Sequence, residues 1–155
     1  MQTRTRQQIE EDRKFVIAVG VDFSAPSQNA LALARAMAQE HAASVIHVVH
    51  VTCLPNSSEH GVHVDVRREL EKVRGVCAPA TRDLDACIMC HVLIGRADDE
   101  LVRFSCDCGA DVLILGSREK SGFERFFSGS MSRRIARSAD CSVLVAHECG
   151  AHDLH

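Results

Sequence analysis

Five short apolar runs, separated by segments of helical periodicity, constrain this chain more than any other feature. The runs are "FVIAVGV" (Phe15 to Val21), "SVIHVVHV" (Ser44 to Val51), "ACIMCHVLIG" (Ala86 to Gly95), "ADVLILG" (Ala110 to Gly116) and "CSVLVAH" (Cys141 to His147). In the first of them, consecutive apolar positions leave no polar face for water, which is the pattern of a strand covered on both sides. Between the runs, Ala30, Leu31, Ala34, Met37, Ala38 and His41 share one helical face behind Ser27, an available N-cap. Val62, Val66, Leu70, Val73 and Cys77 repeat the pattern, with Pro79 placed to end that helix. "RADDELVRFSCDC" reads as a third helix stopped by Gly109, and "SGSMSRRIARSAD" as a fourth capped by Ser130. Strict alternation of strand and helix predicts an α/β domain: a parallel sheet with helices on both faces.

The length of 155 residues suits one such domain. It is expected over residues 15–147, with a polar arm at 1–14 and a tail at 148–155. A net charge of -3 and 25% charged residues describe a globular chain with no global affinity for nucleic acid. No run approaches the length of a membrane span, and the N-terminus has no signal-peptide core, so a cytoplasmic protein is expected. In a reducing compartment the eight cysteines read mainly as packing residues.

The segment "GADVLILGSR", followed by "SGFERFFSGSMSRRIARSADCSVLV", resembles the universal stress protein family. The resemblance extends back through "VIAVGVDFS", "ALALARAMA" and "IHVVHV". ATP-binding members of that family carry Gly, two residues, Gly, nine residues, then Gly and Ser or Thr. Gly116 fills the first place and Gly129 and Ser130 the last two, while Glu119 replaces the second glycine. The resemblance implies a Rossmann-like, five-stranded sheet of order 3-2-1-4-5 with two helices on each side. An order that reverses beside strand one places a ligand crevice at the carboxyl ends of strands one and four.

Carried onto this chain, the resemblance assigns Gly20, Val21 and Asp22 to one wall of an adenosine site and Val51 to the base. Leu115 and Gly116 form the facing wall, with Arg118 following, and Gly129, Ser130, Met131 and Ser132 take the phosphates. Free amides at a helix start suit an anion, and Gly129 lets the backbone approach closely. From Gly116 to Arg137 six basic residues stand against Glu119 and Glu124, a local balance of +4. That asymmetry favours an anionic ligand, although a solvated helix face would carry the same charges. Glu119 works the other way, since its carboxylate repels a triphosphate by about 1 kcal/mol if partly desolvated.

The expected ligand is therefore ATP, with Mg2+ as a possible companion, bound by a stress-response or signalling module. The resemblance also implies a homodimer through the last strand, where Ser142 replaces the family's usual proline. The alternative is a dimer that binds no nucleotide and acts through contacts with another protein. No catalytic residue is assigned, because the chain lacks a Gly-x-Ser-x-Gly elbow and a His-Glu-x-x-His helix. Asp22 serves either the ligand and its magnesium or the turn after strand one.

Four further groupings have metal-like spacing, and none is assigned a metal. "CIMCH" (Cys87 to His91) matches a haem-attachment motif, but in a core strand Cys87 and Cys90 point to opposite faces. Cys106 and Cys108 share no helical face. The tail holds His147, Cys149, His152 and His155, and the second loop His60, His63 and Asp65; both read as polar surface.

Overall fold

The computed structural model describes residues 13–41, 43–53, 64–81, 84–117 and 130–147. In chain order these form β1 (Phe15–Gly20), α1 (Ala25–Gln39), β2 (Ser44–Thr52), α2 (Val66–Cys77), a 3-10 turn (Ala78–Thr81), β3 (Cys87–Ile94), α3 (Ala97–Asp107), β4 (Val112–Ser117), α4 (Ser130–Ser138) and β5 (Ser142–His147). The strands make one parallel sheet of order β3-β2-β1-β4-β5, the order the resemblance implied. β1 lies at its centre, and Ile17, Ala18 and Val19 are fully buried, which is why the first run has no polar face. On one side of the sheet Ile17, Val19, Ile46 and Val48 pack under α1 and α2, against Ala30, Ala34, Val73 and Cys77. On the other side Ala18, Val49, Leu113 and Leu115 pack under α3 and α4, against Leu101 and Ile135.

Asp111 sets the register between β1 and β4. Its backbone N–H donates to the Val16 carbonyl at 2.8 Å, and its carboxylate accepts from Val16 N at 2.9 Å and from Arg13 at 2.6 Å. Arg13, expected to belong to a loose arm, is thus tied to the sheet. Gly109, expected to stop α3, has φ +65°, and the N–H groups of Gly109 and Ala110 reach back to Cys106 and Ser105. These two bonds satisfy carbonyls the helix end would otherwise leave open.

Several expectations need correction. The N-cap of α1 is Ser24 rather than Ser27, because Pro26, which has no N–H to lose, occupies the first turn. Ser27 is instead buried inside that turn, with its hydroxyl donating to the Ser24 carbonyl at 2.9 Å. Asp65 caps α2 by accepting from Arg68 N at 3.2 Å, so Val66 opens the helix and is exposed. Ser130 stands inside α4 as its first residue.

β3 was read as a core strand but is an edge strand, paired only with β2, and it leaves Cys87 and Met89 exposed. The cysteines divide for similar reasons. Cys77 is buried and Cys90, Cys108 and Cys141 are half-buried, whereas Cys53, Cys87 and Cys106 are exposed at strand ends or on a helix surface and pack little. Arg118, Glu119, Gly129, His60, His63, Val62, Cys149 and the tail from 148 lie outside the described residues. Among the described residues no helix is long and apolar enough to cross a membrane.

Candidate functional site

The chain leaves β1 toward a helix on one face of the sheet and leaves β4 toward a helix on the other, so the carboxyl ends of these neighbouring strands diverge. A cleft opens there. The end of β1 contributes Gly20, Val21 and Asp22, and β4 contributes Leu115 and Gly116. Val49 and Val51 of β2, Ala97 and Leu101 of α3, Ser27 of α1 and Met131 of α4 complete the lining.

Of the residues proposed from sequence, Gly20, Val21, Asp22, Val51, Leu115, Gly116 and Met131 come together at this cleft. Ser130 and Ser132 flank Met131 in the first turn of α4. Ser27, Val49, Ala97 and Leu101 were not foreseen. Val49 is signalled by the alternation of β2, two residues before Val51 on the same face. Ala97 and Leu101 are one helical turn apart, but the sequence does not say where α3 packs.

The two glycines have different physical reasons. A Cβ on Gly20 would come within 2.9 Å of Leu115 Cδ2 and 3.2 Å of Leu101 Cδ1, both movable side-chain ends. A Cβ on Gly116 would stand 2.4 Å from the carbonyl carbon of Pro26 and 2.5 Å from Ser27 N, which are backbone. Gly116 therefore lets the first turn of α1 press onto β4 and close one end of the cleft.

Asp22 shapes the turn out of β1. Its Oδ1 accepts from Ser24 N at 3.1 Å and from the Ser24 hydroxyl. Between them Phe23 takes φ +64°, a conformation few non-glycine residues adopt, and its ring lies 4.5 Å from that of His50. His50 Nδ1 donates to the Val21 carbonyl at 2.8 Å, and its Nε2 is 3.6 Å from Glu69 on α2. A hydrogen bond from Lys72 holds the Glu69 carboxyl below its ordinary value, against the opposing effect of burial.

On the opposite flank Asp98, in the first turn of α3, joins that helix to α4. Its carboxylate accepts from Arg134 Nε at 2.5 Å and from Arg96 at 3.1 Å, and only 8% of its side chain is exposed. Burial alone would raise its pKa; the hydrogen bond and charge of Arg134, with the charge of Arg96, outweigh that and hold it low. The pairing holds α4, and with it Met131, against α3 at the cleft.

Beneath α3 the same sheet face carries a histidine pair. His47 Nδ1 and His91 Nε2 are hydrogen-bonded at 2.9 Å, and both rings pack against Phe104. Burial lowers the pKa of each, and for His91 the charge of His47 adds to it.

Chemically, the cleft offers apolar walls for a flat heteroaromatic group, one carboxylate, and the start of a helix rich in arginine. Asp22 is already engaged by Ser24, and among the described residues no group of three or more His, Cys, Asp or Glu is placed to hold a metal ion.

Residues 15–147 match the model of the universal stress protein family. Universal stress protein G of Shigella flexneri is 32% identical over 130 residues, covering 77% of this chain and 87% of that protein. Universal stress protein MJ0531 of Methanocaldococcus jannaschii is 36% identical over 55 residues, covering 36% of this chain and 32% of that protein, so the match spans about a third of that relative's length. Among solved structures, a universal stress protein in complex with cAMP aligns with a TM-score of 0.63 at 21% identity, covering 86% of this chain and 96% of the other. The universal stress protein from Archaeoglobus fulgidus in complex with dAMP aligns with a TM-score of 0.58 at 19% identity, covering 86% and 98%. At these identities the structural likeness is one of fold.

Proposed function

Because this chain belongs to the universal stress protein family, we propose that its cleft binds an adenine nucleotide and that the protein works as a nucleotide-responsive stress module. The observation that carries this reading is the cleft itself, at the switch point between β1 and β4, with valine and leucine walls and the start of α4 at its side. The base lies between Val21, Val49 and Val51, and Leu115 and Met131 face it. The phosphates run toward the amides of Ser130, Met131 and Ser132, with Gly129 and Arg118 beside them. The helix dipole and the local excess of arginine favour the anion. Family neighbours whose structures hold cAMP or dAMP support an adenine ligand.

ATP is the triphosphate form this reading favours, and magnesium would arrive with its phosphates, near Asp22. The chain assembles as a homodimer through β5, an edge strand on which Ser142, Leu144 and His147 are exposed and Val143, Val145 and Ala146 half-covered. It acts in the cytoplasm as a binding module, with at most slow hydrolysis of the bound nucleotide.

The test is direct. The purified protein is denatured and the supernatant chromatographed for adenine nucleotide, then the refolded or nucleotide-free chain is titrated with ATP, ADP, AMP and cAMP by calorimetry. Released nucleotide, or saturable heat with any of the four, supports the reading. No release and no heat to millimolar concentration overturns it and leaves a dimer acting through protein contacts alone.

A further inference from the structure

Cys77 is the last residue of α2 and is buried; Cys90 lies midway along β3 and is half-buried. Both are free thiols, and the Cys90 S–H donates to Cys77 Sγ at 3.6 Å. We propose that these two cysteines form a reversible intrachain disulfide that ties the end of α2 to the edge strand β3.

The geometry requires little movement. A disulfide bond is about 2.05 Å long, so the sulfurs must close by about 1.5 Å, within reach of small side-chain rotations. The two residues are 13 apart and stand on different elements, so the bond closes a loop that the reduced protein holds only by packing.

The oxidant is a low-molecular-weight disulfide. The Cys90 thiolate, the more accessible of the two, attacks one sulfur of R–S–S–R, forming a mixed disulfide and expelling one thiolate RS⁻. The Cys77 thiolate then attacks Cys90 Sγ, expels the second RS⁻ and forms the Cys77–Cys90 bond. The two protons lost by the cysteines pass to the two leaving groups, so two protein thiols are oxidised and one disulfide is reduced to two thiols.

The environment assigns the two sulfurs these separate parts. Burial, then the neighbouring charge of Cys90, push the Cys77 thiol up to about 12, which suits it to the second step rather than the first. Once Cys90 is a mixed disulfide, its charge disappears. Cys77 then becomes easier to ionise next to the sulfur it must attack.

The experiment treats the reduced full-length protein with oxidised glutathione, blocks remaining thiols with N-ethylmaleimide, and maps peptides by mass spectrometry without reductant. A linked pair of peptides carrying Cys77 and Cys90, lost on treatment with dithiothreitol, is expected in the natural chain. In Cys90→Ser the link is absent and Cys77 is recovered as a free thiol after unfolding; in Cys77→Ala the glutathione adduct persists on Cys90. A stable adduct on Cys90 with Cys77 free in the natural chain overturns the proposal. So does modification confined to the exposed Cys53, Cys87 and Cys106. If Cys77→Ala does not fold, Cys90→Ser, at a half-exposed position, tests the same bond.

Discussion

Gly116 and Pro26 meet backbone to backbone: a Cβ on Gly116 would lie 2.4 Å from the Pro26 carbonyl carbon, so the helix that follows β1 rests directly on β4. A peptide backbone cannot rotate aside as a side chain can. Gly116→Ala is therefore expected to destabilise the fold by about 3 kcal/mol, measured by urea unfolding at neutral pH. Gly20→Ala, whose Cβ meets only leucine side-chain ends, costs about 1 kcal/mol in the same assay. Equal losses in the two variants would contradict the account.

Asp98 supplies a second stability prediction. Its folded pKa is depressed, so its contribution is fully present above the unfolded value of about 3.9 and is lost as pH falls through the lower folded value. Because Arg134 is half exposed, the pairing is screened, and Asp98→Asn is expected to cost about 1.5 kcal/mol at pH 7. The gap between variant and parent should hold from pH 7 to about 5 and close only in stronger acid. A gap that closes near pH 6 would assign the effect to another group.

The histidine pair titrates in the opposite part of the pH scale. His47 and His91 both have lowered pKa values in the fold, so between the folded and unfolded values the unfolded chain binds more protons, and stability rises with pH. Above the unfolded value of about 6.5 the penalty is gone. Thermal melts at pH 7.5 and 5.5 should show a loss on acidification that shrinks in the His47→Gln/His91→Gln double variant. An unchanged loss would place the responsible groups elsewhere.

For the proposed nucleotide, Val51 gives the cleanest probe of the base wall. Val51→Glu puts a carboxylate into an apolar wall facing an anionic ligand and should weaken adenine-nucleotide binding at least tenfold by calorimetry. Circular dichroism should remain that of the parent, because Val51 is near the end of β2 and only half-buried. Full affinity in a folded variant would move the base out of this cleft.

Glu119 tests the phosphate side. It occupies the second glycine place of the ATP pattern, and removing a charge repulsion of about 1 kcal/mol corresponds to about a fivefold gain. Glu119→Gly should therefore bind ATP about fivefold tighter while AMP, which lacks the distal phosphates, changes little. Equal affinity for ATP in parent and variant would clear Glu119 as an obstacle.

The parts of this molecule legible in the sequence are those set by local composition. β1 and β4 declare themselves because both faces are buried, and Gly109 because only a left-handed residue ends α3 as it does. The strand order came from the family resemblance, since periodicity does not say which strands are neighbours. β3 was misread for that reason: apolar cysteines and methionine look the same at an edge as at a centre. At the cleft, Gly20, Val21, Asp22, Leu115 and Gly116 stand at strand ends, which the apolar runs mark. Leu101 and Ala97 were missed because their place depends on where α3 settles, and the Asp98–Arg134 pair joins residues 36 apart. The sequence places Gly116 in the wall facing the adenosine, but its contact with Pro26 is visible only once β4 lies beside the start of α1.

The pairing of β1 with β4 also bears on how the protein comes into being. Val16 and Asp111 are 95 residues apart, whereas β1 and β2 are joined through a single helix. During synthesis the first two strands can associate early, but the crevice has no second wall until β4 has emerged and docked on β1. Such distant closure is slow compared with local pairing. The crevice is thus a late structure, assembled from both halves of the chain, and a molecule bound there would select finished copies over half-made ones.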